Sequence, residues 1–159
     1  MHGQRHSTDQ KLVLPPSPGH RHTRPACCHS AYSCLAWNTN PTAQSQPKWD
    51  SAETKALAQR ACFDCHSNQT TWPWYSYIAP GSWLIARDVI AGRRALNFDD
   101  WQTSLARADR FPLDQQVQRE ISRGDMPPSY FLWLHPDAKL TAAEQQQLID
   151  GLAKTIQAK

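Results

Sequence analysis

Residues 62–66 read Cys62-Phe63-Asp64-Cys65-His66, two thiols three residues apart with an imidazole directly after the second. This is C-x-x-C-H, the attachment signature of c-type haem. The spacing has a physical reason. One helical turn brings both thiols against the two vinyl groups of a single porphyrin, and the histidine that follows lies under the iron as proximal ligand. With 5 Cys and 7 His among 159 residues, chance supplies the pattern on the order of 0.01 times per chain. Two other readings use the same residues. A thioredoxin-like site needs a βαβ pattern around the two cysteines, and none is present. A zinc site needs a fourth ligand beyond Cys62, Cys65 and His66, and only His135, an acidic residue or the N-terminal segment offers one.

An iron that carries electrons takes a second axial ligand. The chain has two methionines, and Met1 is the initiator. Met126 remains, in Gly124-Asp125-Met126-Pro127-Pro128. Two prolines fix the backbone after it, which suits a ligand held in one place. The rival is His135, which would give a bis-histidine iron. Met126 as a filler of the core is the bland alternative.

The rest of the sequence divides into a leader and a domain. Residues 1–47 hold 5 of the 7 His, 3 of the 5 Cys, 6 of the 12 Pro and a net charge of +3, whereas residues 48–159 are neutral. The leader shows neither helical nor strand periodicity, and its six sizeable apolar residues do not offset the entropy of ordering it, so it is expected to be disordered. Cys27, Cys28 and Cys34 beside His29 lack the C-x2-C spacing of a zinc site. No apolar run in it suits a signal peptide, and no stretch of the chain approaches eighteen continuous apolar residues. A neutral domain behind a basic leader is a poor match to a nucleic-acid binder.

Residues 48–159 read as all-α. Asp50 with Glu53 has the form of a capping box, opening a helix that runs to about Arg60. A second helix is expected from Ser82 through Ala91 with Gly92 as its stop, and a third from Asp99 or Asp100 with Trp101 and Leu105. A fourth runs from Asp114 to Gly124. The last begins at Thr141, with Glu144 completing a capping box and Leu148, Ile149, Leu152 and Ile156 as its inward stripe. Six Trp but few Leu, Ile or Val make a thin core, and a bound apolar cofactor would fill it.

The run from Ala61 through Cys62, Cys65 and His66 to Trp72-Pro73-Trp74-Tyr75 resembles the opening of the bacterial haem-binding domain family of small c-type cytochrome domains. Further blocks follow in order: Ile78-Ala79-Pro80-Gly81-Ser82-Trp83, then Gly92-Arg93-Arg94-Ala95-Leu96-Asn97-Phe98 with Trp101, then Gly124-Asp125-Met126-Pro127-Pro128, Tyr130 and Leu134-His135-Pro136-Asp137-Ala138-Lys139-Leu140. The resemblance spans about residues 48–156. It implies a cytochrome c-like helical domain around one covalent haem c, held at Cys62 and Cys65, with His66 as proximal ligand. A Met126 ligand is consistent with it. Haem contact is expected from two or three of Trp72, Trp74, Tyr75, Trp83 and Trp101, and a propionate contact from at most one of Arg93 and Arg94.

The expected function is electron transfer by ferric/ferrous cycling, with redox proteins as partners and no substrate bond made or broken. A haem-based sensor in which Met126 gives way to a small ligand is the alternative, and a peroxidase-like enzyme a third class. Haem c is attached outside the bacterial cytoplasm, so the expected location is the periplasm or the outer face of the inner membrane. Family members typically carry an apolar targeting segment before the domain, and residues 1–47 contain none. The expectation is a start codon placed too far upstream or another mode of export, with any membrane association through a segment this start omits.

Overall fold

The computed structural model describes residues 38–108 and 112–158. The expected disorder of residues 1–37, and the Cys27, Cys28 and Cys34 group, lie outside the described residues. Among the described residues there is no strand, only one isolated bridge between Ser45 and Asp100. Seven helices follow in order: α1 Ala52–Ala61, α2 Phe63–His66, α3 Gly81–Ala95, α4 Trp101–Ala108, α5 Leu113–Arg123, α6 Ser129–Leu134 and α7 Ala142–Gln157. Turns of 3-10 helix occur at Trp74–Tyr77 and Pro136–Ala138. The domain is all-α. No described helix is long and apolar enough to cross a membrane.

Local chemistry explains most of the boundaries. The cap of α1 is Ser51 rather than Asp50: its hydroxyl accepts from the Thr54 N–H at 3.1 Å. Asp50 instead donates its backbone N–H to the Thr155 hydroxyl on α7. The α7 start is as expected, since Thr141 and Glu144 form both halves of a capping box. Gly124 ends α5 at φ 76°, the left-handed conformation that favours glycine.

Gly92 does not end α3, which runs on to Ala95. The glycine serves packing instead. A Cβ there would stand 2.5 Å from the Cys65 carbonyl oxygen, so only glycine lets α3 lie directly on α2. Helix α6 was not anticipated. It has six residues, none of them buried, and starts straight after Pro128, so no apolar stripe announces it.

The core joins α1, α2, α4, α5 and α7. Phe63 on α2 stacks on Phe98 at 5.2 Å, Phe98 stacks on Trp101, and Trp49 packs against both Phe63 and Phe98. Leu57, Ile121, Leu148 and Leu152 complete the cluster. Phe98, at 1 % exposure, is its centre; burial of such a side chain contributes about 1.5–3 kcal/mol.

The boundary at Lys48 moves earlier, because residues 38–47 are tied to the domain. Asn38 donates to Ser76, Asn40 to the Thr70 carbonyl, and Gln46 to the Asp99 carboxylate. The Gln44 and Ser45 N–H groups both donate to the Asp99 carbonyl. Asp99 is fully buried and also accepts from the Asn68 N–H and the Gln69 side chain. These polar contacts have no hydrophobic period, which is why the segment reads as leader.

Candidate functional site

The motif stands where α1 turns into α2. Cys62 ends α1 with its N–H on the Ala58 carbonyl, and its own carbonyl accepts from the N–H groups of Cys65 and His66 at 3.1 and 2.9 Å. This single closed turn sets Cys62, Cys65 and His66 along one wall. The two cysteines are free thiols, half-buried. Burial pushes both thiols up to about 12, with the Asp64 and Asp88 charges adding to the effect at Cys65. They are therefore neutral S–H groups at neutral pH.

His66 donates from Nδ1 to the Leu96 carbonyl oxygen at 3.0 Å. A carbonyl only accepts, so Nδ1 carries the hydrogen and Nε2 is the ring's lone-pair nitrogen. Burial lowers the pKa of this imidazole, which favours the neutral, ligating form.

A cavity of about 260 Å³ opens on this wall, and Cys62, Cys65, His66 and Met126 all line it. Met126 reaches it from the loop after α5. That loop folds back on the helix end, with the N–H groups of Asp125 and Met126 both on the Glu120 carbonyl. Ile121, Leu140 and Leu148 give the cavity an apolar floor. An adjoining cavity of about 330 Å³ shares Cys65, Asp88, Tyr130 and Phe131 with the first. His135 lines this second cavity and not the first. Between them the Tyr130 hydroxyl donates to the Asp88 carboxylate at 2.7 Å, linking α6 to α3.

A family model described as a haem-binding domain matches residues 30–154. The chain belongs to the haem-binding domain family. No curated protein and no solved structure matches it.

The residues of this haem-binding domain suit its cofactor. A metal-ligating histidine generally donates its other ring N–H to a carbonyl or carboxylate, which fixes tautomer and ring orientation, and His66 is already held that way by Leu96. The cavities are apolar and aromatic, as a porphyrin face requires, and each lies near the lower end of ligand-pocket sizes. Among the described residues no three His, Cys, Asp or Glu side chains form a group able to hold a metal ion, so the zinc alternative has no fourth ligand there.

The other sequence expectations fare unevenly. Of Trp72, Trp74, Tyr75, Trp83 and Trp101, only Tyr75 lines either of these cavities. Trp101 is core, and the Trp72 indole N–H donates to Asn40. Arg93 lines neither cavity. Its guanidinium donates to Ser67, Thr39, Asn40 and Thr70, which spends it on tying residues 39–40 to the loop after His66. Sequence reasoning missed Phe131 and Trp133 as cavity residues, because the helix that carries them has no periodic signal.

Proposed function

We propose that this haem-binding domain is a single-haem c-type cytochrome domain that carries electrons. Cys62 and Cys65 supply the two thiols that thioether attachment requires, His66 the proximal nitrogen, and Met126 the sixth ligand. The observation that carries this reading is the convergence of these four residues on one cavity. His135, in the adjoining cavity, is the weaker claimant to the iron. The iron, when bound, supplies a ferric/ferrous couple, and a methionine sixth ligand raises its potential.

The chain's own part is binding, orientation and exclusion of water. Leu96 holds the His66 ring, the folded-back loop holds Met126, and Phe131 and Leu148 keep the cavity walls apolar. No group of the domain is assigned a bond-making role. The partners under this reading are redox proteins, and haem c attachment places the domain in the periplasm or on the outer face of the inner membrane.

One observation favours a second reading. Met126 keeps 38 % of its surface exposed, and a sensor would exploit a methionine that leaves for a small ligand. Carbon monoxide separates the two, since a closed six-coordinate carrier binds it slowly or weakly.

The test is the visible spectrum of the full chain matured in a host with the haem c machinery. Acid-acetone extraction should leave colour on the polypeptide, and the double variant Cys62→Ala, Cys65→Ala should lose it. Haem that extracts freely from the parent protein would sink the c-type assignment.

A further inference from the structure

Haem is an apolar ring with two carboxylates at one edge, and those propionates need hydrogen-bond donors where they leave water. Among the described residues, no Lys or Arg lines either cavity. Several lining donors are committed. Thr70 donates to the Asp64 carbonyl, Tyr130 to Asp88, and His66 to Leu96. Of the two sequence candidates, Arg93 is spent on residues 39–40 and Arg94 lines neither cavity.

One polar pair stands differently. His135 donates from Nδ1 to the Phe131 carbonyl at 3.0 Å and lies flat on the Phe131 ring, centroids 4.0 Å apart. This fixes the imidazole so that Nε2 faces the Tyr75 hydroxyl across 3.5 Å. That separation is at the outer limit of a direct hydrogen bond. Both atoms belong to residues that line the larger cavity.

We propose that Tyr75 Oη and His135 Nε2 together hold a haem propionate, with the porphyrin extending from the Cys62–His66 wall into the larger cavity. The proposal rests on the haem reading above. Tyr75 donates its phenolic proton, and burial together with the Asp64 charge keeps that proton in place. With Nδ1–H on the Phe131 carbonyl, a bond from Nε2 to the propionate requires hydrogen on both ring nitrogens, and the resulting cation complements the propionate charge. Asp64 and Asp88 also line this cavity, the first accepting the Thr71 N–H and the second paired with Arg87 and accepting from the Tyr130 hydroxyl.

The experiment is resonance Raman spectroscopy of the holo full chain, reading the propionate bending band, with the midpoint potential measured alongside. His135→Ala and Tyr75→Phe should each keep the haem and the methionine–iron charge-transfer band, yet shift the propionate band. His135→Ala should also lower the potential, because an unscreened carboxylate favours ferric iron. His135→Gln retains a donor and should restore much of the parent band, which a merely structural role would not predict. An unchanged propionate band in both deletion variants overturns the proposal. So does a His135→Ala protein that loses its sixth ligand, which would make His135 axial. Failure of the c-type reading shows separately, as extractable haem in the parent, and the propionate comparison reads the same on non-covalent haem.

Discussion

Gly92 on α3 faces the Cys65 backbone so closely that any side chain there would strike the Cys65 carbonyl. The contact seats the second thiol and His66 against α3, and His66 then finds Leu96 just past the end of that helix. Gly92→Ala gains about 1 kcal/mol of helix propensity. It also forces two backbones apart, and overpacking of this kind costs about 1–3 kcal/mol. The variant should unfold at lower denaturant and mature with less covalent haem. Parent-like values for both would show that α2 and α3 part without consequence.

Under the proposed ligation, substitutions at Met126 read out on the iron directly. A thioether is a soft, neutral donor that favours ferrous iron, whereas imidazole favours ferric. Met126→His should therefore lower the midpoint potential, and Met126→Ala should open the site to rapid carbon monoxide binding. His135→Ala should leave the methionine–iron band in place. A parent protein without that band, and unaffected by Met126→Ala, would move the iron to other ligands.

The ordered domain begins before Lys48. A chain starting at Lys48 loses the Gln46 donor to buried Asp99 and the Asn38 and Asn40 contacts. Each buried polar group left without a partner costs about 1–3 kcal/mol. Its thermal midpoint should fall clearly below that of a chain starting at Asn38. Equal midpoints would show that these hydrogen bonds add nothing net over water.

Acid stability has one identifiable contributor at the start of α7. The Thr141 N–H, with help from Arg60, holds the Glu144 carboxyl down to about 2 from an ordinary 4.5. A depressed folded-state pKa stabilises fully above about 4.5 and loses its effect as pH falls toward 2. Glu144→Gln should flatten the stability profile in that window, and Thr141→Ala should cost about 1 kcal/mol at neutral pH. Denaturant midpoints measured from pH 2 to 7 check both.

What the sequence made legible follows from how each element is stabilised. Helix α7 carries both a capping box and an apolar stripe, Leu148, Ile149, Leu152 and Ile156, and its start is read to the residue. Cys62, Cys65, His66 and Met126 stand out in the sequence because their chemistry is local or because few residues of their type exist, and the fold brings all four to one cavity. Gly92 misled because glycine serves both to stop a helix and to admit a close neighbour, and only the neighbour distinguishes them. The aromatics misled for a related reason: Trp101 and Trp83 look alike in sequence, while one is core and the other surface. Residues 38–47 were missed because their stabilisation is polar and non-periodic, with partners up to 57 residues away.

Helix α6 lines both cavities and yet buries none of its own side chains. Its side-chain link to α3 is the phenol of Tyr130 on the Asp88 carboxylate. Such a segment opens at little free-energy cost when nothing fills the space beneath it. Its amides should therefore exchange with deuterium quickly in the haem-free chain and slowly once the ring is seated, while the amides of α7 protect to similar degrees in both. The six residues from Ser129 to Leu134 would then act as a clasp that the cofactor itself fastens, and their exchange rate would serve as an occupancy gauge independent of colour.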